Sequence, residues 1–288
     1  MSQARGYRSR VSFEVPLTRS RRPPGLDLRG SSRPLSTFAD HFIDETLPAN
    51  IRLRAFARNR PTATLQARRR GLDAWRGSTL NEYRSHAGFC ALLELLSVEG
   101  FPRDLLVAAT RVVRDEAVHV ELSRRMVRYL GGDDFIVGTP DYVFPDSTLD
   151  PVERAVDMVA TSLCVGETYS CLLIDAARRS AVDPMSRAVL TRMAKDESFH
   201  SSFGFAALEV MWPALSAAGR RRVEARIADA VLFGWQLSTE PQPDFVDHPF
   251  GAVPPALERK TAVGAFDRLI QPRLERLGIM VERPPLPS

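Results

Sequence analysis

A five-residue pattern occurs twice in this chain, as DEAVH from Asp115 to His119 and as DESFH from Asp196 to His200. In each copy the glutamate and the histidine are three residues apart, which places both side chains on one face of a helix, one turn apart. The chain has only five histidines, and two of them occupy the same place in this pattern. A pair of this kind can direct two donor groups at one cation, so the repeat predicts two half-sites on two helices.

Both copies of the pattern lie within apolar helical stripes. Leu105 and Val112 precede the first copy at helical spacing, and Leu190 and Ala207 flank the second copy. Charged groups on an apolar seam are costly unless something pairs with them. We therefore favour buried ligand pairs over the alternative, which is two solvated ion pairs on exposed helix faces.

Two further glutamates precede the motif glutamates at similar separations. Glu82 lies 34 residues before Glu116, and Glu167 lies 30 residues before Glu197. Residues at equal distances from the turn of an antiparallel helical hairpin face one another, and these separations correspond to about fifteen residues on each side. The turn sequences EGFP and AVDP lie near the two midpoints. The spacing therefore predicts that each upstream glutamate faces the motif glutamate of its own hairpin.

Glu82 has a second interpretation. The sequence TLNE that starts at Thr79 reads as a capping box near a helix start at about Ser78, in which Glu82 would only bind a backbone amide. Glu94 is the rival ligand on the same helix, but it is twelve residues further on and about a third of a turn away from the seam. We keep Glu82 as the predicted ligand.

A glutamate from each of two helices and Glu-x-x-His from each of two others resembles the ferritin-like di-iron or di-manganese carboxylate superfamily. Residues 78–212 carry the resemblance, and the sequences EYRSHAGF and GET around the upstream glutamates are also similar to bacterial members. It implies an all-α fold, a ferritin-like four-helix bundle with additional flanking helices. It also implies two iron ions, with manganese as the alternative at one or both positions. The ligands that it implies are Glu82, Glu116, His119, Glu167, Glu197 and His200.

The aspartate before each motif glutamate is a candidate for a supporting role. A histidine that binds a metal usually donates its other N–H to a carboxylate. The resemblance implies that Asp115 supports His200 and that Asp196 supports His119, each across the bundle. The alternative for both aspartates is a solvated position on the helix surface.

His86 and Cys171 each lie one turn beyond an upstream glutamate. The histidine could serve as a further ligand or proton carrier, and the alternative is a hydrogen-bonded core residue. The cysteine stands near the place where some di-iron monooxygenases have a threonine, and packing is its alternative role. Both are therefore candidates beside the metal centre.

The composition predicts a globular helical protein with 44% apolar residues and a net charge of +4. Residues 1–34 are rich in Arg and Pro and are expected to form a flexible basic arm, with a single helical domain over residues 35–288. Lys195 and Lys260 are the only lysines. Arginine-biased codon usage explains this better than a nucleic-acid surface, so we expect no nucleic-acid partner. Three cysteines without a CxxC pair and no apolar segment of membrane-spanning length favour a cytoplasmic location.

Specific departures separate the branches of the superfamily. Three cysteines cannot form the additional iron site of rubrerythrins, and Ser123 stands where the radical-generating subunit of ribonucleotide reductase has its tyrosine. The chain loosely resembles the arylamine N-oxygenases, which carry a third histidine where this chain has Met193.

The branch that remains implies an oxygenase or oxidase that uses O₂ as co-substrate. It would hydroxylate, N-oxygenate or desaturate a small organic molecule, with electrons from an external reductase or ferredoxin because no flavin or dinucleotide fingerprint is present. A homodimer is compatible with this role. The alternative is a ferroxidase, or a metal-handling or scaffold protein without an organic substrate.

Overall fold

The computed structural model describes residues 26–27, 33–134, 136–137, 149–239 and 249–285. Almost all of these residues are helical, which confirms the predicted all-α class. Two dipeptides form a small antiparallel ladder, β1 (Leu26–Asp27) with β2 (Ile136–Val137). The helices are α1 (Arg33–Thr46), α2 (Leu53–Arg58), α3 (Leu65–Val98), α4 (Arg103–Tyr129), α5 (Pro151–Met158), α6 (Glu167–Ser180), α7 (Pro184–Met211), α8 (Ala217–Thr239), α9 (Pro255–Ala265) and α10 (Gln271–Arg276).

Short 3-10 turns occupy Ala49–Ile51 and Trp212–Ala214, and π-helical segments occupy Val159–Gly166 and Phe266–Ile270. The predicted arm lies outside the described residues, apart from β1 and the first two residues of α1. No helix within the described ranges is long and apolar enough to cross a bilayer.

The first bundle helix, α3, is longer than the sequence predicted. The Thr64 hydroxyl caps its start, and the helix continues through residue 98 without a break. The Thr79 hydroxyl donates to the Trp75 carbonyl oxygen at 2.8 Å instead of capping a new helix. The predicted start at about Ser78 is therefore wrong, and so is the capping-box alternative, because Glu82 lies well inside α3. Packing along α4 carries the helix across the Gly- and Ser-containing stretch that suggested a boundary.

The other hairpin boundaries agree with the sequence. Gly100 has a φ of 70° in the turn between α3 and α4, and Gly131 has a φ of 91° after α4. Both values lie in the left-handed region that glycine adopts without strain. The Asp183 carboxylate caps α7 by accepting the Ser186 amide at 2.8 Å. These local signals fix the lengths of the two hairpins that bring the glutamates together.

The third bundle helix differs from its prediction as a regular helix. Between α5 and α6, residues 159–166 form a π-helix that ends immediately before Glu167. Helix α7 approaches this segment closely: a Cβ added at Gly204 would lie 2.6 Å from Leu163 Cβ. The glycine therefore permits a close contact between the backbones of α7 and the π-helix. Because a π-helical turn contains an extra residue, it changes the direction from which Glu167 enters the bundle interior.

Two apolar clusters fill the bundle on either side of a polar layer. The first includes Phe89, Val112 and Phe203, and the second includes Trp75 and Met193. Helices α3 and α4 pack together, as do α6 and α7, while α8 and α9 cover the π-helix and α6. The polar layer between the clusters contains every ligand predicted from the sequence.

Candidate metal centre

Four helices contribute six acidic and imidazole side chains to one buried cluster. Helix α3 carries Glu82, α6 carries Glu167, and each of α4 and α7 carries a motif glutamate and histidine. The structure brings all six predicted residues together, and none of the six is more than 8% exposed. The members are Glu82, Glu116, His119, Glu167, Glu197 and His200.

The cluster divides into two overlapping sets of four donors. Glu82 and His119 belong to the first set, Glu167 and His200 belong to the second, and two motif glutamates belong to both. Within each set the donor atoms lie within 4.8 Å of one another. The two imidazole rings are 5.9 Å apart between centroids. This arrangement provides two adjacent cation positions that share the carboxylates of Glu116 and Glu197.

Each histidine directs its Nδ1 atom at three carboxylates. His119 Nδ1 lies 3.4 Å from Glu82 Oε2, 3.4 Å from Glu197 Oε1 and 3.7 Å from Glu116 Oε1. The Nδ1 atom of His200 lies 3.1 Å from Glu116 Oε1, 3.4 Å from Glu197 Oε2 and 3.6 Å from Glu167 Oε2. The two halves therefore have the same donor set, one imidazole and three carboxylates.

Buried polar atoms without hydrogen bonds concentrate in this cluster. Although the ring nitrogens and carboxylates lie 3.1–3.7 Å apart, several of these atoms form no hydrogen bond of normal geometry with any described residue. They are the two carboxylate oxygens of Glu116, Oε2 of Glu197, Nδ1 of His119 and both ring nitrogens of His200. Such atoms cost free energy unless another group satisfies them. Cations placed among them would do so, and a set of carboxylates and imidazoles suits iron or manganese. The residues present therefore fit a dinuclear metal centre.

The pKa values of the glutamates in the cluster shift in opposite directions. Burial, reinforced by Glu197 and Glu82, raises the pKa of Glu116 from 4.5 to about 7, and burial also raises the pKa of Glu167. The pKa of Glu197 is lowered, because its contacts with Glu167 and the two histidines outweigh burial. Equivalent motif glutamates therefore have opposite pKa shifts.

Surrounding carboxylates also outweigh the effect of burial on the imidazoles. They raise the pKa of His119 and of His200 well above the usual value. The metal-free cluster therefore retains protons, and cations would displace them.

The outer nitrogen of each histidine faces the aspartate of the opposite motif. His119 Nε2 donates to Asp196 Oδ2 at 3.1 Å. The Nε2 atom of His200 lies 3.7 Å from Asp115 Oδ2, which is beyond hydrogen-bond distance. Both aspartates are almost fully buried, which excludes the alternative of solvated helix acids.

Arginines form a further layer that the sequence analysis missed. The Nε atom of Arg192 donates to Asp196 Oδ2 at 2.6 Å, and its Nη2 atom lies 3.5 Å from Asp115 Oδ1. Asp115 also accepts from Arg111 at 3.2 Å and from Arg114 at 2.7 Å. His200 and Arg114 lower the pKa of Asp115 despite its burial. The signal is in the sequence, because both motifs extend to Arg-x-x-x-Asp-Glu-x-x-His.

A pair of serines contacts the ligand of α3. Ser123 and Ser78 are hydrogen-bonded through their hydroxyl groups at 3.1 Å, and the Ser78 hydroxyl donates to Glu82 Oε1 at 3.4 Å. The other oxygen of Glu82 faces His119. Ser123 is fully buried. The position compared above with the tyrosine of ribonucleotide reductase therefore carries a hydroxyl group that is linked through Ser78 to Glu82.

Other candidates lie beside the cluster rather than in it. His86 Nδ1 donates to the Val113 carbonyl oxygen at 3.1 Å, which matches the hydrogen-bonded core alternative. The Cys171 thiol lies 3.9 Å from the Ala194 carbonyl oxygen, and burial raises its pKa to about 11. Met193 packs in the apolar core, and Glu94 is exposed.

These elements define a ferritin-like helical bundle with a buried site that fits two metal ions. A model of the p-aminobenzoate N-oxygenase AurF family matches residues 103–265, more than half of the chain. The chain belongs to this oxygenase family. The match includes five of the six cluster residues and begins after Glu82. No curated protein and no solved structure matched the chain.

Proposed function

We propose that the protein is an O₂-activating di-iron oxygenase that acts on a small organic molecule. The observation that supports this most is the concentration of buried donor atoms without hydrogen bonds between two overlapping carboxylate–imidazole sets. Membership of an oxygenase family supports the same class of chemistry. Two bound iron ions would supply the electrons and the coordination of O₂ that amino-acid side chains cannot supply.

The six residues of the cluster hold the metals in this proposal. Glu82 and His119 would hold one ion, Glu167 and His200 would hold the other, and Glu116 and Glu197 belong to both donor sets. The apolar clusters above and below exclude water from the site, which strengthens electrostatic interactions inside it.

The surrounding residues orient the ligands. Asp196 accepts the outer N–H of His119, which leaves Nδ1 facing the cluster with its lone pair. Arg192 holds Asp196 in turn. The Ser78 hydroxyl holds one oxygen of Glu82 and leaves the other directed at the first metal position. A rigid ligand set of this kind favours the same coordination geometry in every catalytic cycle.

The reaction requires electrons from outside the chain. Insertion of one oxygen atom consumes O₂, two electrons and two protons, and releases one water. We therefore include an external ferredoxin or reductase as a partner. Met193 occupies the position of the third histidine of arylamine N-oxygenases, so this chain offers six ligands rather than seven. N-oxygenation, hydroxylation and desaturation all remain within the proposal.

The function can be tested by loading the protein with Fe(II) without oxygen and then adding ¹⁸O₂. A panel of small aromatic amines and acids, beginning with p-aminobenzoate, serves as substrate, with chemically reduced methyl viologen as electron source. We expect two irons per chain by Mössbauer spectroscopy, and one ¹⁸O atom in a product by mass spectrometry. Formation of a ferric mineral well beyond two irons per chain, without product, would instead identify the ferroxidase alternative.

A further inference from the structure

A cleft with a strong positive charge lies on the outer side of the arginine layer. Its volume is about 770 Å³, and it is bounded by the segment after α1, by α4 and by the start of α7. One carboxylate, that of Asp196, lines it. The basic residues that line it are Arg111, Arg114, Arg187, Arg192 and Lys195. The lining therefore has a net charge of +4, and +3 when the buried Asp115 behind the arginines is included.

The cationic surface is open to a partner. Lys195 is exposed, and no carboxylate among the described residues lies within ion-pair distance of its ammonium group. The side chains of Arg111 and Arg114 are 39% and 42% exposed, although each also contacts Asp115. The two aspartates do not neutralise this cleft, so it attracts anionic partners at long range.

A short chain of contacts connects the cleft to the metal cluster. Arg192 lines the cleft and donates to Asp196 at 2.6 Å, and Asp196 accepts from His119 at 3.1 Å. His119 then faces three carboxylates of the first ligand set. Two hydrogen bonds therefore separate an arginine that lines the cleft from a proposed metal ligand.

We propose that this cleft is the docking surface for an acidic electron-donor protein of the ferredoxin class. The inference rests on the proposed function, which requires two electrons from outside the chain in each cycle. Two reduced [2Fe–2S] donors would each lose one electron, and the two ferric ions of the centre would become ferrous. Positive charge on this chain and negative charge on the donor would orient the encounter over the Arg192–Asp196–His119 path.

The test compares two charge reversals that change the net charge by the same amount. Lys195→Glu alters the cleft, and Lys260→Glu alters an exposed lysine on α9 outside it. A plant-type [2Fe–2S] ferredoxin serves as the acidic probe. Its binding to the metal-free protein is measured by calorimetry, and the reduction of the iron-loaded protein is followed by stopped-flow absorbance. Thr191→Glu, which adds a negative charge at an exposed position of the cleft, provides a second variant.

We expect Lys195→Glu to slow association with ferredoxin roughly tenfold at low ionic strength, and Thr191→Glu to act in the same direction. Lys260→Glu should have little effect. The difference should shrink near 1 M salt, where the Debye length is about 3 Å. Reduction by methyl viologen should be equal in all variants. Equal ferredoxin binding by Lys195→Glu and Lys260→Glu, or no binding to the wild-type protein, would refute the docking surface.

Inorganic phosphate, added at constant ionic strength, tests whether the cleft binds a small anion instead of a ferredoxin. If phosphate raises the melting temperature of the wild-type protein but not of Lys195→Glu, and ferredoxin binding is the same in both, the cleft binds a small anion and the donor proposal is wrong. Failure to take up iron, or failure of methyl viologen to reduce the iron, would count against the proposed function. The binding measurement on metal-free protein tests the docking surface in either case.

Discussion

The two helical hairpins carry the same motif but surround it differently. In both, a helix presents arginine, aspartate, glutamate and histidine at identical spacing, and the partner helix presents one glutamate. In the first hairpin the partner helix, α3, is continuous, and Glu82 lies within it. In the second, a π-helix precedes Glu167. Equal motifs thus produce equal donor sets, while the partner helices make the surroundings of the two proposed metal positions different.

The aspartates of the two motifs also have different hydrogen-bond and ion-pair partners. Asp196, from the second hairpin, accepts a hydrogen bond from His119 and is held by a single arginine. Asp115, from the first, contacts three arginines and remains 3.7 Å from His200. The first proposed metal position therefore has a histidine that is held in place by a hydrogen bond. At the second proposed position, Asp115 mainly contacts arginines. The two positions should therefore differ in their affinity for iron.

Loss of a shared carboxylate should have the largest effect. Glu197 belongs to both donor sets, so Glu197→Ala should reduce iron from two per chain to none or one. Glu82→Ala and Glu167→Ala should each retain one iron, because each glutamate serves one position. Metal analysis after anaerobic loading and desalting gives the stoichiometry. Glu94→Ala, on an exposed position of α3, is the matched control and should retain two. Two irons in Glu197→Ala would contradict the shared position.

The equivalent glutamates should respond to pH in opposite directions in the metal-free protein. The raised pKa of Glu116 means that its contribution to stability is present below pH 4.5 and is lost as pH rises through about 7. Glu116→Gln should therefore stabilise the protein at pH 8, by an amount on the order of 3 kcal/mol. Glu197 has a lowered pKa, and its contribution is present above pH 4.5 and is lost as pH falls.

Glu197→Gln should accordingly destabilise the metal-free protein at pH 8. Urea unfolding of both variants between pH 5 and pH 8, in the presence of a chelator, measures these changes. The gap between Glu116→Gln and wild type should widen as pH increases. Destabilisation by both variants at pH 8 would show that the two glutamates do not differ in the way described.

The two aspartates should be separable by metal affinity. Asp196→Asn weakens the orientation of His119 and should lower iron affinity at one position by about 10- to 100-fold. Asp115→Asn removes a carboxylate from three arginines and should mainly lower the free energy of unfolding. Anaerobic titration with Fe(II) and thermal unfolding provide the two measurements. An equal loss of affinity in both variants would mean that the 3.1 Å and 3.7 Å contacts are functionally alike.

Substitution of a glycine on each hairpin should have the smallest effect on stability, and the two effects should have opposite signs. In Gly204→Ala the new Cβ would lie 2.6 Å from Leu163 Cβ and 2.9 Å from its carbonyl carbon, so we expect destabilisation by about 1–3 kcal/mol. Gly77→Ala on α3 meets no atom within 4 Å and should stabilise the protein by about 0.5–1 kcal/mol. Melting temperatures test both, and an unchanged value for Gly204→Ala would remove the close contact as the reason for the glycine.

The parts of the site that obey helical periodicity were predictable from sequence. Spacings of three, 30 and 34 residues were enough to predict which side chains meet, because helices advance uniformly. The start of α3 was not predictable from sequence, because packing overrides the low helix propensity of residues such as Gly77 and Ser78. The π-helix before Glu167 has no local signature either, and it lies where Gly204 admits a neighbouring backbone. The arginine layer depends on contacts between hairpins, such as that of Arg192 with Asp115.

We propose above all that one buried layer of four carboxylates and two imidazoles holds two metal ions. Anomalous diffraction at the iron edge, from crystals grown with Fe(II) without oxygen, tests it most directly. We expect two peaks in each chain, one among Glu82, Glu116, His119 and Glu197, and the other among Glu116, Glu167, Glu197 and His200. A single peak in this layer, or iron bound only elsewhere, would contradict a dinuclear centre at these residues.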